Sequence, residues 1–181
     1  MKRTFAVLTF LVLTISMATA QRLPEIARPD NYKLTFTPDL ESAKFEGDET
    51  IAIRVLKPTS KITLNAVDID FHEVSISSGG ALQKATVTPD KEREMVVLSV
   101  EKPLSDGPAT IHITYSGILN NEMRGLYLGK DDQGRKYAST QFESTDARRA
   151  FPSFDEPDYK ATFDITAVAD KGLTAISTRS S

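Results

Sequence analysis

Alternation of apolar and polar residues with a period of two dominates the chain from Asn31 onward, and it restricts the fold more than any other feature. In residues 32–37 the apolar side chains of Tyr32, Leu34 and Phe36 alternate with polar ones, and residues 49–55 repeat the pattern. This period is typical of a strand with one face on a hydrophobic core. Further strand-like runs occupy residues 62–64, 71–77, 85–88, 95–100, 110–115, 137–142 and 161–168. The chain is therefore predicted to consist of many short strands.

Turn-forming residues separate these runs. Examples are Ser78-Gly79-Gly80, Pro89-Asp90 and Asp131-Asp132-Gln133-Gly134, which favour reversal of the chain. No amphipathic stretch reaches helical length, and only residues 144–150 are predicted to form a short helical turn, with Ser144 as its N-cap. Because there is no internal repeat or linker, residues 21–181 are predicted to form one all-β domain, an antiparallel β-sandwich.

Residues 1–20 are predicted to be a cleaved signal peptide. Lys2 and Arg3 precede an apolar run over residues 5–17, and Ala18-Thr19-Ala20 is a small-residue cleavage site. The competing interpretation is an uncleaved membrane anchor, but the run is shorter than the roughly 20 apolar residues that cross a bilayer. We therefore expect no stable membrane anchor and a periplasmic or extracellular location. The absence of cysteine fits a bacterial periplasm better than a small animal secreted domain.

The composition argues against several classes of function. The 22 Lys and Arg residues and the 25 Asp and Glu residues give a formal net charge of −3, so nucleic acid is not expected as a partner. Without cysteine there is no thiolate nucleophile and no Cys-based zinc site. The two histidines, His72 and His112, are too far apart in the sequence for an H-E-x-x-H zinc motif. No catalytic residue and no metal ligand is predicted in this chain.

The segment over residues 140–157 differs from the rest of the chain. It combines the end of a predicted strand with a dense group of opposite charges and two prolines, Pro152 and Pro157. Each proline restricts the preceding residue to extended geometry. A rigid, charged loop of this kind is a favourable place for a binding residue.

This segment resembles the hallmark of the zinc aminopeptidases of the aminopeptidase N type. From Thr140 to Phe163 the chain follows the pattern T-Q-F-E-x-T-D-A-R-R-A-F-P-x-F-D-E-P-x-x-K-A-T-F. Further similarity lies in residues 22–24, 28–32, 45–47, 123–127 and 172–177. The resemblance therefore covers nearly all of the chain after residue 20.

The resemblance implies a fold and two site residues. In that family a saddle-like N-terminal β-sandwich precedes a catalytic domain that carries zinc. Glu143 matches the glutamate that binds the free α-amine of the substrate, and Gln141 matches the glutamine that lines the first side-chain pocket. The chemistry agrees, because a carboxylate forms a charge-assisted hydrogen bond with a terminal ammonium. Such a contact determines which peptide bond lies over the metal.

Structural interpretations stand beside the functional ones. Without the resemblance, Glu143 is an ordinary solvated carboxylate at a strand end. Most of the other notable side chains are predicted to have structural roles. Arg148, Arg149, Asp155 and Glu156 are expected to form an ion-paired cluster that fixes the loop, Phe142, Phe151 and Phe154 to lie in the core, and His72 and His112 to lie at the surface.

The chain also departs from the family pattern. Ser153 stands where the family often has cysteine, and the G-A-M-E-N and H-E-x-x-H motifs are absent. The chain ends at Thr178-Arg179-Ser180-Ser181, where the family continues with further strands. We therefore expect a sandwich that lacks its last strands, whether through a truncated product, a fragmentary sequence or a frameshift.

The predicted function is that of the substrate-recognition region of an exported zinc-dependent aminopeptidase. In the complete enzyme its partners would be peptide N-termini and the missing catalytic domain, and zinc would be the cofactor. The fragment itself is expected to bind no cofactor and to be non-catalytic alone. The alternative is a stand-alone secreted β-sandwich binding module without peptidase activity.

Overall fold

The computed structural model describes residues 22–177, which form eleven strands and one short 3-10 turn. The predicted signal peptide and the last four residues lie outside the described residues. The strands are β1 (Ala27–Asp39), β2 (Lys44–Val55), β3 (Thr59–Asn65), β4 (Ile69–Ser78), β5 (Ala81–Lys84), β6 (Thr86–Asp90), β7 (Met95–Leu104), β8 (Gly107–Ile118), β9 (Gly125–Lys130), β10 (Lys136–Gln141) and β11 (Thr162–Ala167), and the 3-10 turn is Ala147–Arg149. No helix within this part of the chain is long and apolar enough to span a membrane.

The larger layer is a six-stranded sheet with the order β11-β1-β2-β8-β4-β5. Strands β1, β2, β8, β4 and β5 pair antiparallel in that order, whereas β11 pairs parallel with β1. A three-stranded antiparallel sheet, β3-β7-β6, forms the second layer, and β9 and β10 form a separate two-stranded sheet. The predicted all-β sandwich is confirmed, with one parallel pair among antiparallel ones.

The core lies between the inner faces of the two layers. Strand β2 shows the alternation clearly, because Ile51, Ile53 and Val55 are buried and Arg54 is exposed. Both sheets contribute to one continuous cluster, whose members include Ile62, Leu64, Val96 and Leu98 from the smaller sheet and Val74, Ile76, Ile111 and Ile113 from the larger one. Each such side chain contributes about 1.5–3 kcal/mol of hydrophobic stabilisation when it is fully buried.

Two aromatic rings pack over glycines on the neighbouring strand. Phe45 of β2 lies opposite Gly117 of β8, and Gly47 of β2 lies opposite Tyr115 of β8. A Cβ atom added at either glycine would overlap the facing ring. Both rings are fully buried. The glycines are therefore required by close packing and not by an unusual backbone angle.

Most predicted strands are present, with differences at the short elements. Strands β5 and β9 were not predicted, since β5 has only four residues and β9 contains two glycines. The predicted helical turn is a 3-10 turn, but Ser144 is not its N-cap. Asp146 occupies that position without a side-chain cap, because its carboxylate is engaged by arginine side chains instead.

Candidate functional site

Gln141 and Glu143 lie together where β10 ends. Gln141 is the last residue of the strand and Glu143 lies in the turn that follows, and both are exposed. The Gln141 side-chain oxygen accepts a hydrogen bond of 3.0 Å from the backbone N–H of Glu143. The strand stops at Gln141, so the two residues are held together by this hydrogen bond within the turn.

Phe142, which stands between Gln141 and Glu143 in the sequence, packs this turn against the core. Its half-buried ring packs edge-on against Phe151, with 5.9 Å between ring centroids. Phe151 is buried in turn. The backbone at Phe142 is therefore held inward, while Gln141 and Glu143 remain at the surface.

The Glu143 carboxylate is available to an external cation. Among residues 22–177 no lysine, arginine or histidine lies within ion-pairing distance of it, although many other carboxylates here are paired. A carboxylate at the surface with unused acceptor positions is suited to a charge-assisted hydrogen bond with an ammonium group.

Arg148 is the centre of the ion pairs behind this turn. Its Nε donates to Asp155 Oδ2 at 2.8 Å, and its Nη1 donates to Glu94 Oε2 at 3.0 Å. The Arg148 side chain is only 11% exposed, so the pairs are shielded from solvent more than ordinary surface pairs are. They join the 3-10 turn to the loop after it and to the loop before β7.

Arg149 forms a second set of ion pairs. It donates to Asp146 at 3.0 Å and to Asp68 at 2.6 Å. Asp146 is buried and also accepts from Arg124 at 3.2 Å. The predicted cluster is thus present, but it is divided between two arginines and recruits acidic residues from β-strand connections that the sequence did not indicate.

Glu156 is not part of this ion-paired cluster, and that prediction is wrong. Its carboxylate accepts a hydrogen bond from the backbone N–H of Leu23. The side chain therefore reaches toward the N-terminal segment of the described chain. Glu156 connects the loop to the segment before β1, whereas Asp155, one residue earlier, faces Arg148.

Two buried tyrosines bind the backbone of the loop. Tyr115 donates to the Ala150 carbonyl oxygen, and Tyr32 accepts from the Phe154 N–H, each at 3.0 Å. Burial raises the pKa of both hydroxyls above the usual range, so they remain protonated. Asn65 and Ser153 add a pair of backbone hydrogen bonds of 2.7 and 3.0 Å. The loop after the 3-10 turn is therefore a rigid base for the Glu143 turn.

The other structural predictions in this region are confirmed. Phe151 and Phe154 are buried, and Phe142 packs against the core. His72 and His112 are surface residues, and each lies 3.4 Å from a carboxylate of β2.

Glu49 is a buried residue that the sequence reasoning did not single out. It is completely buried on β2, and neither carboxylate oxygen has a hydrogen-bond partner in the described residues. Burial raises its pKa well above the ordinary value. The signal was present in the sequence, because Glu49 has the same parity as Ile51 and Ile53 and therefore points to the same face.

No metal site is evident in the part of the chain that the structure describes. Residues 22–177 contain no group of three or more His, Asp or Glu side chains that could hold a metal ion. The side chains of residues 22–177 therefore do not fit a zinc site.

A family model describes the Peptidase M1 N-terminal domain and matches residues 28–180. The chain belongs to this family. The match includes both layers of the sandwich and the whole segment from Thr140 to Phe163. The resemblance found in the sequence is therefore confirmed.

Individual M1 relatives agree with the family assignment. Aminopeptidase M1-D of Oryza sativa subsp. japonica is 39% identical over 159 residues, which are 86% of this chain and 18% of that protein. The puromycin-sensitive aminopeptidase of Caenorhabditis elegans is 35% identical over 87% of this chain and 17% of that protein. Aminopeptidase N of Acetobacter pasteurianus is 34% identical over 87% of this chain and 45% of that protein. The chain spans less than half the length of each of these relatives.

Proposed function

We propose that this chain is the N-terminal substrate-recognition region of an exported zinc-dependent aminopeptidase that removes N-terminal amino acids from peptides. The match of residues 28–180 to the M1 N-terminal domain carries the proposal. The relatives named aminopeptidases support the reaction class.

Glu143 binds the α-ammonium group of the peptide substrate in this proposal. Its carboxylate is exposed and unpaired within the described residues, and its backbone is held by Gln141. Behind it, the ion pairs of Arg148 and the hydroxyls of Tyr32 and Tyr115 restrict the loop. A fixed carboxylate positions the chain end without paying the full entropy cost at each binding event.

Gln141 contacts the first side chain of the peptide in this proposal. Its side-chain oxygen is occupied by the Glu143 N–H, whereas its amide nitrogen has no partner among the described residues. The exposed NH₂ group is a donor beside the ammonium-binding carboxylate. In this proposal the side-chain oxygen of Gln141 binds the backbone of the turn, and its NH₂ group is free to bind the peptide.

Zinc belongs to the complete M1 enzyme and not to the residues described here. When bound, the metal supplies a Lewis acid and an activated water for peptide hydrolysis. The role of this chain is to bind and orient the N-terminus of the substrate. Residues 1–20, as a signal peptide, place the enzyme in the periplasm or outside the cell.

The test uses the complete aminopeptidase polypeptide that carries these residues. Glu143→Gln removes the negative charge and keeps the shape of the side chain. A hydrogen bond to a charged group contributes about 1.5–3 kcal/mol, so kcat/KM for an aminoacyl arylamide should fall roughly tenfold to a hundredfold. Bound zinc, measured by atomic absorption, should be unchanged.

Glu122→Gln is the matched control, because it neutralises an exposed carboxylate in the loop before β9. It should leave kcat/KM unchanged. If Glu143→Gln behaved like this control, Glu143 would have no role in binding the amine. If the unaltered polypeptide released no amino acid from any free-amine substrate, the proposed reaction itself would be wrong.

A further inference from the structure

The loop before β9 brings Met123 to the same end of the β9–β10 hairpin as Gln141 and Glu143. Gln141 lies opposite Gly125 in the last residue pair of this hairpin. Met123 precedes Gly125 by two residues, and Glu143 follows Gln141 by two. Opposite Cα atoms are about 4.5–5.5 Å apart and consecutive ones about 3.8 Å, so the Cα atoms of Met123 and Gln141 are at most about 13 Å apart.

Met123 has a backbone conformation that its residue type rarely adopts. Its φ is 56°, which lies in the left-handed region that is unfavourable for residues with long side chains. The side chain is nevertheless 66% exposed, so burial in the core does not offset this cost. Residues held in such conformations occur preferentially at functional sites. The backbone angle and the exposure together favour a role in binding.

Hydrogen bonds hold the backbone on both sides of Met123. The Asn120 side-chain nitrogen donates to the Arg124 carbonyl oxygen at 2.7 Å, which closes the loop around Met123. The Asn120 carbonyl oxygen accepts from the Leu128 N–H at 2.9 Å, which ties the loop to β9. Met123 is therefore placed by its loop and does not depend on contacts of its own side chain.

The same loop is joined to the turn that carries Glu143. Arg124, next to Met123, donates from Nε to Asp146 Oδ2 at 3.2 Å. The backbone N–H of Asp146 donates to the carbonyl oxygen of Phe142, directly before Glu143, at 2.9 Å. These contacts hold Met123 and Glu143 in a fixed relation to each other, as a binding site requires.

We propose that Met123 forms one wall of the site for the first side chain of the peptide substrate and favours long apolar side chains there. This inference rests on the proposed function, in which Glu143 binds the α-ammonium group and Gln141 contacts the first side chain. A long side chain reaches past Gln141 to Met123, whereas the methyl group of alanine stops short of it. Because methionine is flexible and polarisable, it adapts to apolar groups of different shapes.

The test compares leucyl and alanyl arylamides as substrates of the complete aminopeptidase polypeptide that carries these residues. In Met123→Ala, loss of contact with one or two methylene groups should lower kcat/KM for the leucyl substrate roughly fourfold to fifteenfold and leave the alanyl value nearly unchanged. Met123→Leu keeps a large apolar side chain and should retain the native ratio of the two values. Leu82→Ala is the matched control, because Leu82 is 72% exposed on β5, at the far edge of the large sheet, and should change neither value.

A charge at position 123 tests its proximity to the first side chain without relying on packing. Met123→Glu should raise the ratio of kcat/KM for an arginyl over a leucyl arylamide by roughly fivefold, and Met123→Lys should lower it by a similar factor. Both substrates carry the same α-ammonium group, so effects on its binding cancel in the ratio. Far-UV circular dichroism and bound zinc verify that each variant is folded and complete.

The outcomes distinguish this inference from the proposed function. If Glu143→Gln slows the leucyl and alanyl substrates alike, while Met123→Ala leaves their ratio unchanged, the proposed function stands and the inference about Met123 is wrong. Charge variants that shift the arginyl-to-leucyl ratio in the same direction, or not at all, would also overturn the inference. If the unaltered polypeptide hydrolysed no free-amine substrate, the proposed function would fail, and the inference with it.

Discussion

Replacing Glu49 by glutamine should remove a pH-dependent loss of stability. The Glu49 carboxyl group is completely buried, and both of its oxygens lack hydrogen-bond partners in the described residues. Burial without compensation favours the neutral acid, so the pKa of Glu49 in the folded protein is well above its ordinary value. The nearby hydroxyls of Tyr32 and Tyr115 are themselves buried and add no positive charge to stabilise the carboxylate.

The sign follows from proton binding in the two states. The unfolded carboxyl ionises near pH ~4.3, while the folded carboxyl keeps its proton to higher pH. Between the two pKa values the folded state binds more protons, so the free energy of unfolding falls as pH rises. The slope reaches about 1.4 kcal/mol per pH unit. Below the unfolded pKa the group is protonated in both states and contributes no pH dependence.

The measurement is urea unfolding, followed by far-UV circular dichroism because the chain has no tryptophan. From about pH 5 to about pH 6.5 the native chain should lose roughly 2 kcal/mol relative to Glu49→Gln, for as long as the folded carboxyl stays protonated. With a urea dependence of about 2 kcal/mol/M, the midpoints should separate by about 1 M. The pH at which the separation stops growing measures the folded pKa of Glu49.

Two features make this comparison decisive. The two proteins differ at Glu49 alone, so any pH dependence that the other side chains contribute cancels in the difference. Glu101→Gln, which changes an exposed carboxylate of β7, controls for the loss of one acidic residue. Parallel pH profiles for the native chain and Glu49→Gln would refute the reasoning, because they would show that Glu49 is not held as a buried neutral acid.

Further predictions concern packing, ion pairs and processing. Gly47→Ala should destabilise the fold by about 1–3 kcal/mol in urea unfolding, because the added Cβ overlaps a buried ring. Gly129→Ala should destabilise it less, since the ring that its Cβ meets, Tyr137, is 45% exposed and can turn away. Equal losses of stability in the two variants would contradict this. Arg148→Met should destabilise the fold by about 2–3 kcal/mol, because it leaves Asp155 without its partner. The double variant with Asp155→Asn should recover part of this loss. If the stability losses of the two single variants simply add in the double variant, the pair is not coupled. Expression with residues 1–20 in a bacterial host should give a periplasmic product that mass spectrometry finds to begin at Gln21, whereas an intact N-terminus would show that the segment is not cleaved.

Much of the fold could be predicted from the alternation of apolar and polar residues, because neighbouring residues of a strand point to opposite faces, one to the core and one to solvent. Strand β2 shows this directly, with Ile51, Ile53 and Val55 inward. The parallel pairing of β11 with β1 could not be predicted, since the pairing joins residues that are about 130 positions apart in the chain. Alternation within a strand carries no information about which strand lies beside it.

The candidate site was predictable only in part. The resemblance indicated Gln141 and Glu143, and their mutual hydrogen bond is local. The partners of Arg149 were not predictable, because Asp68 belongs to a distant connection between strands. Glu49 was missed for a different reason: the strand pattern assigns it to the core face, while its residue type is usually found at the surface.

The packing of aromatic rings against glycines on β2 and β8 favours one register of this strand pair over its neighbours. If β8 shifted by two residues along β2 in one direction, the rings of Phe45 and Tyr115 would lie opposite each other and the site would be overcrowded. A shift of two residues in the other direction would place Gly47 opposite Gly117 and leave the site empty. The four residues also form two pairs, Phe45 with Gly117 and Gly47 with Tyr115, and the members of each pair must change together. A larger side chain at Gly47 becomes acceptable only when Tyr115 becomes smaller, so substitutions at these positions should appear across M1 domains as matched exchanges.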